Sequence, residues 1–268
     1  MTTHDKAISS LQNPVVKKLR ALSSKKYRDE DGIFMVEGAR HVNDALDNDW
    51  QPDVIAYSIR AVHDDAAKKA LATARAARVM VLEVTDDILS SITGRDNNQP
   101  ILATFKQRRP DIAMVKDGLW LALEGIRDPG NLGTIIRTAD AAGANGVMLI
   151  GSTCDFFAPE TIRATMGSFA RMPVVAATEQ AFTAWRKTYA GKVIGTHLHA
   201  NSIDYRDTPA KLPLLLLMGS ESNGLSPALT AACDTLVKIP MAGGTESLNL
   251  AVSTGIMLYE IARGTLPK

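Results

Sequence analysis

The feature that most limits what this chain can fold into is a set of apolar segments that do not alternate. LWLALEG from Leu119, GVMLIG from Gly146, KVIGTHL from Lys192, LPLLLLMG from Leu212 and TLVKIP from Thr235 are nearly unbroken apolar runs. A strand with one wet face alternates apolar and polar residues, whereas a strand apolar throughout is covered on both faces, as in a parallel sheet between helices. Helical segments separate most of these runs, which predicts a doubly wound α/β domain over 118–268. In such sheets ligands sit beyond the carboxyl ends of the strands. The loops after Leu123, Gly219 and Pro240 are therefore the places where a site is expected.

The first part of the chain has another texture. From Ser9 to Arg28, Leu11, Val15, Leu19 and Leu22 recur at helical spacing, and Lys17, Lys18, Arg20, Lys25, Lys26 and Arg28 fill the other faces. This predicts an amphipathic basic helix or helix pair, which could bind phosphates or be a solvated face. Strands GIFMVEG, VIAYS, VMVLEV and ILATF then alternate with helices near Ala39–Asn48, Ala66–Ala77 and Asp86–Ser91. The alternation predicts a small α/β sandwich over residues 1–108, followed by a linker, KQRRPDIAMVKDG, reaching to about residue 117.

Composition excludes more than it proposes. A net charge of +1 gives no global field that would gather a polyanion, so any basic surface must be local. Cys154 and Cys233 are far apart and lack C-x-x-C spacing, so neither a disulfide framework nor a zinc site is expected, and no metal. The opening MTTHDKAISSLQNP has no apolar signal core, and the run Leu212–Met218 is too short to span a bilayer. The expected location is the cytoplasm, with no membrane partner.

Three loops carry the chemistry. DPGNLGTIIR, after the first run of the second domain, is glycine-rich, yet it is neither G-x-G-x-x-G nor a P-loop with its lysine. This disfavours a dinucleotide-dependent oxidoreductase. It holds Asn131, Gly133 and Arg137 in an N-x-G-x-x-x-R arrangement, with glycine and arginine one helical turn apart. The arrangement makes room for a ligand beside a fixed charge; equally, Asn131 could cap the helix and Arg137 pair with Asp140. The second loop, MGSESNGLSP, places Glu221 between Gly219 and Gly224, where a simple turn requires no glutamate. The third, IPMAGGTESLNLAV, runs into an apolar helix from Leu248 to Arg263, with Ser247 a good N-cap and Asn249 beside it.

Taken together, Asn131–Arg137, Gly219–Gly224, and Ile239–Met241 followed by Glu246–Asn249 resemble the three motifs of the SpoU-type, TrmH-like RNA 2′-O-ribose methyltransferases of the SPOUT class. NPVVKKLRALSSKKYR and FMVEG resemble the substrate-binding domain that larger members carry, itself similar to ribosomal-protein RNA-binding domains. The resemblance implies an α/β parallel-sheet domain closed by a deep trefoil knot, S-adenosylmethionine as cofactor, RNA as substrate, and a homodimer through the C-terminal domain. Backbone at Gly219, Ile239 and Leu248 would hold the cofactor, with Met218 and Thr196 as neighbours. Arg137 would stabilise the developing alkoxide and anchor a phosphate, since an unperturbed guanidinium is a poor base. Asn131 and Ser247 would orient the ribose, Asn249 would support the loop or the hydroxyl, and Glu221 would fix Arg137 or the cofactor loop. The N-terminal domain favours ribosomal RNA over the alternative of a tRNA ribose methyltransferase, and the intact Asn131, Arg137, Glu221, Ser247 and Asn249 argue against a non-catalytic RNA-binding protein on the same fold. The final helix, with Leu250, Val252, Ile256, Met257, Leu258 and Ile261 on nearly every face, has more apolar surface than one sheet needs, which a second copy would bury.

Overall fold

A computed structural model describes residues 5–198 and 201–266. In chain order its elements are β1 (Lys6–Ile8), α1 (Pro14–Ala21), α2 (Lys25–Asp31), β2 (Ile33–Glu37), α3 (Ala39–Leu46), β3 (Pro52–Tyr57), α4 (Asp65–Ala76), β4 (Met80–Val84), α5 (Asp86–Thr93) and β5 (Ile101–Lys106). They continue with β6 (Leu119–Glu124), α6 (Pro129–Ala141), β7 (Gly146–Ile150), α7 (Pro159–Ala164), β8 (Val174–Ala177), α8 (Glu179–Arg186), β9 (Lys192–Thr196) and β10 (Ile203–Asp204). Last come β11 (Leu214–Met218), α9 (Pro227–Ala231), β12 (Thr235–Lys238) and α10 (Leu250–Ala262). The chain forms two compact units, Met1–Arg108 with Phe157–Ala170, and Arg109–Phe156 with Arg171–Lys268.

In the first unit the sheet order is β1-β4-β3-β5-β2, with β5 antiparallel to both its neighbours and the other pairs parallel. Alternate residues of β2 serve opposite faces. Ile33 and Met35 join a core with Val16 and Leu19 of α1 and Ile88 and Leu89 of α5. Phe34 points the other way, into an aromatic cluster with Trp50, Phe105, Phe157 and Phe169. Phe157 and Phe169 belong to the segment between β7 and β8, so the second half of the sequence supplies part of this unit's core. The segment is held further by Arg163 to Glu37 at 3.0 Å and by Trp50 Nε1 donating to the Ala170 carbonyl at 2.9 Å. The basic stretch is a helix pair: Asn13 caps α1 through the Val15 amide, and Gly32 ends α2 in the left-handed region. The short strand β1 has no counterpart in the expected element list.

The second unit is the parallel sheet that the apolar runs predict, ordered β10-β12-β9-β11-β6-β7-β8 with every pair parallel. All five residues of β11 are buried, as its central place requires. β11 lies between β6 and β9, two strands laid down before it in the chain. Of the stretch read as a linker, Val115 is buried in this unit's core, and its carbonyl accepts a hydrogen bond from Trp185 Nε1 at 3.2 Å. Helix α10 begins two residues later than expected and packs along α6. Four of its six singled-out apolar residues, Leu250, Met257, Leu258 and Ile261, are buried within the chain. Val252 and Tyr259 are exposed, at 53% and 47%, and Ile256 between them is half-buried.

Candidate active site

Strands β6 and β11 are neighbours, so the loops at their carboxyl ends meet. The first loop is shorter than the sequence suggested, because α6 already starts at Pro129. Asp128, not Asn131, is the N-cap: its Oδ1 accepts the Asn131 amide at 2.6 Å, and proline fills the position after it. Asn131 thus sits in the first helical turn with its side chain available. Arg137, on the exposed side of α6, has no hydrogen bond or ion pair among the described residues. The pairing with Asp140 is not formed, because Asp140 is taken by Arg171 at 2.6 Å.

The second loop is a closed turn. Ser220 and Gly224 exchange both backbone hydrogen bonds, at 3.0 and 2.9 Å. A Cβ at Gly219 would overlap the backbone of Gly224 and Leu225, and Gly224 itself has φ +64. Both glycines of G-x-E-x-x-G are therefore steric requirements of the turn, which carries Glu221.

A chain of side-chain hydrogen bonds joins the three loops. Asn249 caps α10: its Oδ1 accepts from the amides of Ala251 at 2.9 Å and Val252 at 3.3 Å. Its Nδ2 must then face away, and it donates to Asn131 Oδ1 at 3.1 Å. Asn131 Nδ2 in turn donates to Glu221 Oε1 at 2.6 Å. The helix end thus dictates the orientation of both carboxamides, and the run of donors ends on a carboxylate. The structure brings together Asn131, Glu221 and Asn249. Ser247 is not the N-cap; its side chain is exposed and makes no hydrogen bond among the described residues. The cap fell to Asn249 because α10 starts later, and Glu221 binds Asn131 rather than Arg137.

Of the residues expected at the cofactor, Thr196, Met218, Gly219 and Ile239 lie at strand ends, and Leu248 lies in the loop before α10. Thr196 pairs with Val237 across β9 and β12, and Thr196 Oγ1 lies 3.5 Å from Met218 Sδ at the end of β11. Gly219 follows Met218, and Ile239 follows β12. From Ile239 to Leu248 no backbone–backbone hydrogen bond is formed among the described residues. Open amides and carbonyls beside Met218, Ile239 and Leu248 suit a ligand with a flat apolar body and a polar edge, such as an adenosine.

A cavity of about 530 Å³ opens against the Glu221 turn. Its wall runs from Glu124 to Arg127, through Ser220–Pro227, to Leu250, and it includes none of Thr196, Met218, Gly219, Ile239 or Leu248. Glu124 is a residue that sequence reasoning missed, since LWLALEG reads only as a strand end. Its Oε2 accepts the Ser226 amide at 2.8 Å and so ties β6 to the start of α9. Asp128 was missed too, although Asp-Pro is a helix-start signal.

The basic row is mostly paired. Lys18, Lys25 and Lys26 face Asp31, Asp29 and Glu30, and Arg20 donates to Ser91 at 3.2 Å. Arg28 leaves the proposed phosphate surface altogether: it is 3% exposed and donates to the carbonyls of Leu22 and Ser23. Lys17 is exposed, with no partner among the described residues. Burial pushes the Cys154 thiol up to about 11 and the Cys233 thiol up to about 12. Thiols held so far above neutrality are poor nucleophiles. Among the described residues no group of three His, Cys, Asp or Glu side chains could hold a metal ion, and no helix is long and apolar enough to cross a membrane.

Comparison with known proteins agrees with this geometry. Residues 118–259 match the SpoU rRNA Methylase family, and residues 13–103 match the MRM3-like substrate binding domain. The 23S rRNA (guanosine(2553)-2′-O)-methyltransferase RlmP of Bacillus subtilis is 32% identical over 96% of this chain and 99% of its own. The 23S rRNA (uridine(2479)-2′-O)-methyltransferase of Streptomyces viridochromogenes is 31% identical over 90% and 86%. The AdoMet-bound rRNA methyltransferase of Sinorhizobium meliloti superposes with a TM-score of 0.91 at 44% identity, covering 98% of this chain and 99% of that one. With its three loops joined as described and relatives aligned from end to end, this chain belongs to the SpoU rRNA Methylase family.

Proposed function

We propose that this protein transfers the methyl group of S-adenosylmethionine to a ribose 2′-hydroxyl of ribosomal RNA. The observation that carries the reading is the hydrogen-bond chain Asn249–Asn131–Glu221, which fixes three separate loops at the carboxyl end of a parallel sheet. Asn131 stands on the helix that also carries Arg137, unpaired among the described residues. Relatives aligned over nearly the whole chain are 23S rRNA 2′-O-methyltransferases, and this favours ribosomal RNA over transfer RNA. The two named relatives act on a guanosine and a uridine, so the target base varies within the family.

When bound, the cofactor would supply an electrophilic sulfonium methyl to the 2′-oxygen, its sulfur leaving as a neutral thioether with the S–C electron pair and the hydroxyl proton passing to solvent water. What the protein must add is alignment and a more nucleophilic oxygen, and alignment alone can supply about 7–11 kcal/mol in well-oriented cases. Open backbone at Ile239–Leu248, with Gly219, Met218 and Thr196, would hold the cofactor. Arg137 meets the substrate as a cation, stabilising the developing alkoxide and anchoring the neighbouring phosphate through its planar fork. Asn131, Glu221 and Asn249 hold the ribose side of the site rigid, and Ser247 reaches the ribose from the exposed loop. The 2′-hydroxyl is also the group that distinguishes RNA from DNA, so the chemistry selects its polymer.

The first unit supplies RNA affinity, through Lys17, Lys18, Arg20, Lys25 and Lys26. The protein acts in the cytoplasm as a homodimer. Val252, Ile256 and Tyr259 lie four and three residues apart and form one apolar stripe on α10, which a second copy covers. The chain is closed by a deep trefoil knot, a reading compatible with the place of β11 between two strands laid down before it.

The reading is tested with purified protein, methyl-labelled cofactor and ribosomal RNA from cells lacking the gene. Label should enter a single 2′-oxygen, and Arg137→Ala should abolish turnover while cofactor affinity stays within a few fold. Cofactor affinity falling in step with activity would place the arginine on the wrong ligand.

A further inference from the structure

The cavity beside the Glu221 turn is not absorbed by the reading above. None of the residues assigned to the cofactor lines it, and Glu221, which grips Asn131, stands in its wall. At about 530 Å³ it is within the range of about 300–1,000 Å³ common to small-molecule sites. Its surfaces are of two kinds. Ile126, Leu225 and Leu250 are buried and apolar, while Glu124, Ser220 and Ser226 are half-buried and polar. That combination suits a flat ring with a hydrogen-bonding edge. Enzymes that act on a nucleotide commonly hold its base this way, stacked on apolar side chains and read along its Watson–Crick edge.

We propose that this cavity seats the base of the nucleotide whose ribose is methylated, and that Glu124 selects a base with a ring N–H, guanine or uracil. The inference rests on the methyl-transfer reading, which puts the ribose at the Asn131 and Glu221 cluster on the cavity's edge. Glu124 uses Oε2 to accept the Ser226 amide, and its other oxygen has no partner among the described residues. A carboxylate accepts and cannot donate. Guanine and uracil present a ring N–H at the centre of the Watson–Crick edge and satisfy that oxygen. Adenine and cytosine present a ring nitrogen lone pair there, which leaves two acceptors facing each other in a confined space. Arg127, exposed in the cavity wall, is placed to meet the backbone phosphate of the same nucleotide.

The substitution Glu124→Gln gives a directional test. The Ser226 amide keeps the glutamine oxygen, so the glutamine NH₂ turns to the cavity and the preference should invert. The experiment first maps which 2′-O-methyl site in ribosomal RNA depends on the gene. Short transcripts around that site then carry guanosine, uridine, adenosine, cytidine or an abasic ribose at the target. Wild-type protein should methylate the guanosine or uridine transcript at least about tenfold faster than the adenosine and cytidine ones, the effect of one mismatched hydrogen bond. It should be slower on the abasic transcript by a similar factor. Glu124→Gln should lose about tenfold on the ring N–H base and gain relative to it on adenosine or cytidine, with cofactor affinity unchanged. An abasic target methylated as fast as the natural one, a wild-type preference for adenosine or cytidine, or an unaltered preference in Glu124→Gln would each overturn the proposal. The abasic arm uses only wild-type protein and stands even if the variant fails to fold. Failure of the underlying reading looks different: no site in ribosomal RNA would depend on the gene, and both would fall together.

Discussion

Two loops border the site, and they use glycine for opposite purposes. In the turn from Gly219 to Gly224, one glycine is forced by backbone crossing directly over it and the other by a positive φ, and the backbone bonds to itself. In the loop from Ile239 to Leu248, a Cβ at Gly243 or Gly244 would meet nothing within 4 Å. Among the described residues the backbone of this loop makes no bond to other backbone, its one hydrogen bond being the Thr245 hydroxyl to the Ser247 carbonyl at 3.0 Å. The first loop spends its backbone on its own rigidity and presents a side chain, Glu221. The second leaves its backbone groups open, as the proposed cofactor site requires. A fixed carboxylate serves chemistry that needs alignment, and unsatisfied amides serve binding.

Four experiments break or sharpen this contrast. The largest effect is expected for Gly219→Ala, whose methyl has no room. The second unit should lose about 3 kcal/mol, seen as a melting temperature lower by roughly 6–12 °C, and activity should vanish. A fully active, equally stable variant would mean that the turn relaxes freely. Next, Glu221→Ala leaves the turn's backbone bonds in place but frees the Asn131 amide. Turnover should fall by about ten- to a hundredfold, the order of one lost charged hydrogen bond, with the melting temperature little changed; equal losses in both would make Glu221 a structural residue.

The third test reads the backbone directly. In hydrogen exchange without cofactor, the amides of Ser220 and Gly224 should be protected and those from Met241 to Leu248 should exchange rapidly. Saturating S-adenosylmethionine should slow the second group and raise stability by about 2.7 kcal/mol at a hundredfold excess over Kd. Protection of the 241–248 amides in the free protein would erase the contrast. The smallest effect is expected for Gly243→Ala and Gly244→Ala, within about 0.5 kcal/mol of wild type. A large loss of stability in either would show that the open loop is packed after all.

How much of this was legible in the sequence depended on the range of the interaction involved. The unbroken apolar runs gave the parallel sheet, because burial on both faces is written into each strand separately. The three motifs gave the residues of the site, since Asn131, Glu221 and Asn249 stand in segments recognisable one at a time. Their roles were less legible. Ser247 looked like the cap of α10, and Asn131 a possible cap of α6, until the actual helix starts gave those roles to Asn249 and Asp128. The Arg137–Asp140 pair was plausible at helical spacing, but Arg171, 31 residues further on, competes for the carboxylate. Arg28 reads as one more surface cation, and only the fold of the helix pair turns it inward. Glu124 carries no local signal because its partner lies 102 residues away.

The segment from Phe157 to Ala170 bears on the order in which the protein is made. Phe34 and Trp50 emerge from the ribosome early, but the rings and the carbonyl that complete their surroundings come more than 100 residues later in the chain. At translation rates of about 5–20 residues per second the first unit waits several seconds for its last layer. During that interval its aromatic face is bare, and the buried Glu37 has yet to meet Arg163. A fragment ended at residue 108 stays in that condition permanently. The N-terminal unit comes first in the sequence, but it cannot be finished until residue 170 has been made.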